Sequence, residues 1–274
     1  MSVLNLNNAS KLYYGNTEAQ KVYKGDRLLY PVPNVGVLDL LSLSPSLWLD
    51  ANDNSTITLV SEAVSEWRDK SGNSRHAIQS MINSRPIIGT MNGKTALGFN
   101  GVNYWLSCPY DLNNILPFNV FLVTKGSGPF LNSDYEVSPP RGFIINATGL
   151  FGRYTTSGSF LQVPYDNPLS GSVGGIINLF FDTNLVTPFV SGVQNSVSQS
   201  YDPPLIHGTF LEIGAIIRTT STYYNGVLAE IIFIPSILSL ETRNKIEGYL
   251  AWKWGLVDEL PTNHPYKTQK VVLS

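Results

Sequence analysis

Residues 210–266 pass from two strand-like runs to one amphipathic helix, and this change of pattern constrains the fold more than any other stretch of the chain. The first run is Phe210-Leu211-Glu212-Ile213-Gly214-Ala215-Ile216-Ile217. After a polar turn, Tyr223-Tyr224-Asn225-Gly226-Val227-Leu228 leads into Ala229-Glu230-Ile231-Ile232-Phe233-Ile234, which Pro235 stops. β-Branched and aromatic residues bounded by Asn-Gly and Pro predict two neighbouring strands. Ser239 then offers a helix N-cap, Glu241 an anion in the first turn and Gly255 a stop. Between them Ile246, Tyr249, Leu250, Lys253 and Trp254 recur at helical spacing. A lone helix must bury its apolar stripe, and the strands just before it are the available surface.

The rest of the chain reads as short extended segments. Apolar runs at 119–124, 141–146, 176–181 and 187–193 are separated by Pro and Gly clusters at 126–140 and 164–175. Many short strands at this spacing predict a sandwich. Three long loops are expected at 127–140, 154–175 and 197–208, the kind of segment that carries binding or subunit contacts. Ahead of the main body, 1–35 holds two strand-like pieces with turns at Gly15-Asn16 and Gly25-Asp26, and Pro31-Val32-Pro33 reads as a linker. So short a piece cannot carry its own core. It is expected to pair with the main domain at 36–274 or with another subunit, an ordinary edge hairpin being the plainer option.

Apolar residues make up 43% of the 274 and charged residues 14%, with a net charge of −2. That supports a large core, and the absence of a basic excess gives no footprint for nucleic acid. A charged fraction below the usual ~25% fits a surface covered in an oligomer or larger assembly. Cys108 is the single cysteine, so no internal disulfide forms, and a buried thiol is expected. The N-terminus lacks the basic and apolar regions of a secretory signal, and no apolar run reaches the ~18–20 residues of a membrane span.

Two sets of residues resemble a known family. Near the C-terminus these are Asn225-Gly226 with Ala229-Glu230-Ile231, then Ile246-Glu247-Gly248-Tyr249-Leu250-Ala251 with Lys253-Trp254-Gly255, then Leu260-Pro261 and His264-Pro265-Tyr266. Near the start are Trp48-Leu49-Asp50-Ala51, Trp67-Arg68-Asp69-Lys70-Ser71-Gly72-Asn73 and Phe99-Asn100-Gly101. Together they look like the closing and opening signatures of concanavalin A-like (laminin-G-like) jelly-roll domains, as found in tailed-phage virion proteins and bacterial surface proteins. The resemblance brackets 47–267; the middle departs from it. It implies a mainly β, jelly-roll β-sandwich with one C-terminal helix. The signature residues Trp48, Trp67, Asp69, Gly72, Asn73, Phe99, Gly101, Glu230, Tyr249 and Trp254 are expected to be structural. The 1–35 segment is similar to short β modules of tailed-phage structural proteins.

Catalytic chemistry finds little support in the residues. Retaining glycosidases need two carboxylates about 5 Å apart. Glu212 and Glu230 are each alone on their strand, although a pair assembled from distant strands stays open. Asp50-x-Asn52-Asp53-Asn54 imitates an EF-hand loop, but Ser55 replaces the turn glycine and Ser61 the final Glu. An Asx turn is the better reading, and Asp69 and Asn73 are expected to tie down the turn after Trp67. His76, His207 and His264 lack ligand spacing, and no nucleophile elbow or phosphate loop occurs. No catalytic residue, metal ligand or cofactor is therefore assigned, and a structural calcium ion is not supported.

Aromatics remain, with 14 Tyr, 5 Trp and 12 Phe. Most belong to the core, but Tyr154, Tyr165 and Tyr201 lie in polar loops and are the candidates for stacking on sugar rings. The resemblance implies a non-enzymatic virion structural protein, made in a host cytoplasm and displayed on the particle as capsid decoration, fibre or tail adhesin. Its implied partners are other virion proteins, further copies of itself in a homo-oligomer (a trimer favoured) and host glycans. The alternative is a bacterial lectin-like module or glycoside hydrolase of the same fold.

Overall fold

The computed structural model describes residues 13–14, 17–18, 22–24, 27–30, 36–112, 116–133, 142–146, 150–154, 160–167, 169, 173–183, 185–200, 209–217 and 221–274. The architecture is a two-layer β-sandwich with one α-helix, Leu240–Trp254, outside the first layer.

The first layer is built around Asn225–Ile234. It pairs antiparallel with Phe118–Ser127 on one side, and on the other with Leu47–Asp50 at one end and Lys94–Asn100 at the other. Phe118–Ser127 continues outward to Gly175–Phe181 and then Leu185–Val190. The second layer orders Leu106–Pro109, Phe210–Ile213, Pro129–Ser133, Gly142–Asn146, Leu150–Tyr154 and Phe160–Pro164, all antiparallel. Ala63–Trp67 joins the layers at one edge, pairing with Ala77–Ile78 and, through Ala63, with Ile87.

Alternation explains the two cores. Leu47 and Leu49, Val120 and Leu122, Ile177 and Leu179, and Ile231 and Phe233 face the second layer, where Leu106, Cys108, Leu131, Ile145, Leu211 and Ile213 meet them. The intervening residues Trp48, Phe121, Val123, Ile232 and Ile234 face outward and would be bare without the helix. Ile246, Tyr249, Leu250 and Trp254 cover them. The central strands are apolar on both faces because both faces are buried.

One irregularity decides the chemistry of this layer. Val123 pairs with Glu230 but the next residue, Thr124, pairs with Leu228, so Ala229 is an extra residue in its strand. Leu228 and Ile231 both face the inner core, with Ala229 and Glu230 between them. The bulge sets Ala229 beside Glu230 on the helix side and lets Leu228 face inward.

Several expectations hold. Ser239 caps the helix by accepting from the Thr242 amide at 3.1 Å, and Gly255 ends it at φ 67°. Two small hairpins, Tyr13–Tyr14 with Thr17–Glu18 and Val22–Lys24 with Arg27–Tyr30, occupy the N-terminal segment. Others need correction. The 210–217 run and the strand ending at Ile234 are not directly paired: Phe210–Ile213 lies in the opposite layer, while Ala215–Ile216 pairs with Thr222–Tyr223 just ahead of Asn225–Ile234. The run breaks at Gly214, φ 88°, where an added Cβ would stand 2.3 Å from the Phe99 ring. All three of the expected long loops contain strands: Pro129–Ser133, Phe160–Pro164 and the two-residue Gln199–Ser200. Proline at their ends masked the first two: Pro129 opens one and Pro164 closes the other, positions where a missing N–H is tolerated.

Candidate functional site

Asp50 and Glu230 lie directly opposite each other on neighbouring strands. Sequence reading had left each acid without a partner; topology brings them together on the helix-facing side. Neither is open to solvent, at 5% and 1% exposure. The helix drops Lys253 between them, its Nζ 2.7 Å from Asp50 Oδ1 and 2.7 Å from Glu230 Oε2. From the loop side Lys70 reaches Asp50 Oδ2 at 3.0 Å and Asp53 Oδ2 at 2.8 Å.

Glu230 is the centre of this network. Its Oε1 accepts from Trp48 Nε1 at 2.9 Å and the Tyr249 hydroxyl at 3.2 Å. Its Oε2 accepts from Trp254 Nε1 at 2.7 Å and from Lys253. Four donors therefore satisfy both oxygens, as a buried carboxylate requires. Burial pushes the Glu230 carboxyl up, with Asp50 adding to the rise, while Lys253 and Trp254 hold it down. Burial also pushes the Tyr249 phenol up, and Lys70 holds Asp53 down at about 2. The signature residues Trp48, Glu230, Tyr249 and Trp254 thus form one anchor between helix and sheet. Lys253 belongs to the helical stripe and to the C-terminal signature, neither of which assigns it a role. A lysine at the Tyr249-plus-four position of a buried face was the available signal, because such an ammonium needs a counter-charge.

Asp69, Gly72 and Asn73 do a second structural task. Asp69 accepts from the amides of Trp48 at 2.9 Å, Ser71 at 2.9 Å and Arg75 at 3.1 Å. Asn73 Nδ2 donates to the Pro45 and Ser46 carbonyls, and Gly72 takes φ 89°. Asp53 accepts from the Ser55 amide at 3.2 Å and caps the 3-10 turn Asn54–Thr56, which is the Asx turn expected there. Trp67 is fully buried in the inner core. Phe99 packs on Tyr224, and the Gly101 amide donates to the Tyr224 carbonyl at 2.9 Å.

A third buried acid sits on the helix. Glu247 faces His264 Nε2 at 3.3 Å and Arg243 at 3.7 Å, and the Arg243 guanidinium lies 3.8 Å above the Phe189 ring. His264 Nδ1 accepts from the Tyr266 amide, so the ring proton is on Nε2 and points at Glu247. His76 Nδ1 likewise accepts from the Asp69 amide. Cys108 is buried, and burial pushes its thiol well up.

The loop tyrosines separate. Tyr165 is 5% exposed within the inner core, so its ring offers no face to a sugar; the Val163-Pro164-Tyr165 sequence carries the strand's inward alternation one residue past its end. Tyr154 ends a strand, with its side chain outside the described residues, and Tyr201 and His207 lie wholly outside them.

The described residues also form open surface cavities, of which two bear on function. One, of about 390 Å³, is lined by the turn Ser61-Glu62, by Ile82, Arg85 and Ile87, and by Asn100, Asn103 and Tyr104. The other, of about 370 Å³, lies where Gly126 and Gly226 cross, beside Lys125 and Asn225.

No protein-family model matches the chain, and no curated protein matches it. Solved structures share its fold. Domain 4 of AbnA, a GH43 extracellular arabinanase from Geobacillus stearothermophilus solved with arabinotriose, superposes with a TM-score of 0.55 at 12% identity, over 72% of this chain and 95% of that domain. The binding domain of botulinum neurotoxin serotype D gives 0.53 at 14% identity, over 75% of this chain and 51% of that one. Trypanosoma rangeli sialidase in complex with sialic acid gives 0.53 at 12% identity, over 77% and 33%. The chain thus spans nearly the whole of the first, half of the second and a third of the last. At these identities the likeness is one of fold.

Proposed function

We propose that this chain is a non-catalytic β-sandwich module, displayed on the surface of a tailed-phage particle, that makes weak contacts to glycans. The observation that carries the reading is the position of the acids. Asp50 and Glu230 face each other as a glycosidase pair would, but they lie under the helix with Lys253 between them. Glu212, another strand acid, lies in the opposite layer with Asn132 and the Ile217 amide on its carboxylate. The glycan half draws support from the fold shared with an arabinanase domain solved with arabinotriose and with a third of a sialidase solved with sialic acid. The display half rests on the resemblance of 1–35 and of the two signatures to virion proteins. In that setting the segment 1–35 docks the module and holds copies together, and avidity compensates for weak single sites.

The test has three parts. The full chain is screened for binding and for turnover against a panel of neutral and acidic oligosaccharides, and particle incorporation is compared with and without residues 1–35. Binding without turnover, with incorporation lost on the deletion, supports the proposal. Turnover of any glycan overturns the non-catalytic half. The same fold in a bacterial arabinanase favours a second reading, a bacterial lectin-like module. Sugar binding with no tendency to join particles selects that one.

A further inference from the structure

The cavity beside the Ser61-Glu62 turn is lined by a cation with no carboxylate paired to it among the described residues. Arg85 lines it and is only 9% exposed. Its Nε donates to the Gln79 carbonyl at 2.8 Å and its Nη2 to the Ser80 carbonyl at 3.1 Å, which fixes the plane of the guanidinium. Its Nη1 is buried and donates to nothing, and no carboxylate pairs with Arg85 among the described residues. Burying a charge without an opposite charge, and a donor without an acceptor, is costly in a folded protein. Such a group in the wall of a surface cavity marks the place of a missing acceptor.

The surroundings narrow the chemistry of that acceptor. Only one guanidinium nitrogen is available, and the Glu62 carboxylate lines the same cavity, so a dianion such as phosphate is poorly matched. A singly charged carboxylate matches one free N–H. The rim is apolar: Ile82 is 61% exposed and Ile87 46%, a surface for the C–H face of a ring. Glu62 can accept from hydroxyls. Asn103 Nδ2 already donates to the Asn83 carbonyl at 2.6 Å and adds little. At about 390 Å³ the cavity falls within the ~300–1,000 Å³ usual for small-ligand sites.

We propose that this cavity binds the carboxylate of an acidic sugar, with Arg85 Nη1 as donor and the ring seated on Ile82 and Ile87. The inference rests on the glycan-contact reading and names the sugar class and the place. Because Nη1 has no open surface, binding includes a small side-chain shift in the wall.

The test compares methyl β-glucuronide with methyl β-glucoside, which differ only in a carboxylate for a hydroxymethyl group, by NMR titration of the full chain. The expected result is binding of the acid tighter by about tenfold, the usual advantage of one hydrogen bond to a charged group. Arg85→Lys keeps the charge, removes Nη1 and is expected to abolish that preference. Ile82→Glu changes an exposed rim residue, so it serves even if the Arg85 variant fails to fold. It is expected to weaken the glucuronide several-fold and leave the glucoside unchanged. Equal affinity for both sugars, or a preference that survives both substitutions, overturns the site while leaving the glycan reading intact. Binding of neither sugar here, with other glycans bound in the panel, likewise overturns the site alone. Binding of none overturns both.

Discussion

Lys253 Nζ sits 2.7 Å from Glu230 Oε2 and joins the only α-helix of the described residues to the middle of the sandwich. The same nitrogen neutralises Asp50 on the neighbouring strand. Removing it leaves two carboxylates facing each other in a site that water does not reach. We predict that Lys253→Met destabilises the fold by about 3–5 kcal/mol, the usual cost of breaking a buried pair by deleting one partner. Urea denaturation measures it, and a loss below ~1 kcal/mol would show that the network relaxes without its cation. Glu230→Gln leaves Lys253 paired with Asp50 but turns one accepting oxygen into a donor that faces two donors, so it should destabilise as well.

The partly exposed end of the network gives a pH dependence of known sign. Asp53 is held down at about 2 from its ordinary 3.8, chiefly by the Lys70 hydrogen bond. A depressed carboxyl stabilises the folded state above its unfolded value and loses that contribution as pH falls from about 4 toward 2. Asp53 is 35% exposed on its side chain, so solvent screening keeps the contribution under ~1 kcal/mol. Asp53→Asn should flatten the acid limb of a stability–pH curve by that small amount. An unchanged limb would place the acid sensitivity elsewhere.

Gly214 is where one run turns from strand to strand, and its missing side chain makes room for Phe99. Gly214→Ala imposes both a left-handed backbone on a residue with a Cβ and a 2.3 Å clash with a buried ring. The expected loss is roughly 2–5 kcal/mol, summing ~1–2 for the backbone and ~1–3 for overpacking. A thermal melt checks it; a variant as stable as the parent would mean that Phe99 has somewhere else to go.

The thiol of Cys108 should be silent in the native protein. It is fully buried, its Sγ donates to the Arg75 carbonyl at 3.3 Å, and burial disfavours the thiolate. Labelling with a thiol reagent should therefore follow global unfolding. Fast labelling of native protein would show that the inner core opens locally at the Leu106–Pro109 strand.

The sequence made the helix, its caps and the strand it packs against legible, because each follows from local pattern. Residues such as Trp48, Glu230 and Trp254 could be singled out but not connected, since 182 and 24 positions separate the bonded pairs. Asp50 looked like part of a turn, and only strand pairing reveals that it faces Glu230. The strands Pro129–Ser133 and Phe160–Pro164 were hidden by prolines at their ends. Arg85 carried no local signal at all: its isolation follows from where its three nitrogens point, which no spacing rule encodes.

The extra residue at Ala229 resets, halfway along one strand, which side counts as inside. With strict alternation counted back from Ile231, Glu230 would keep its side and its four donors, while Ala229 would enter the oily seam between the layers and Leu228 would swing out of it. Engineers grafting new loops onto the scaffold can vary much else, but setting Ala229 and Glu230 side by side toward the helix is what keeps Leu228 inside.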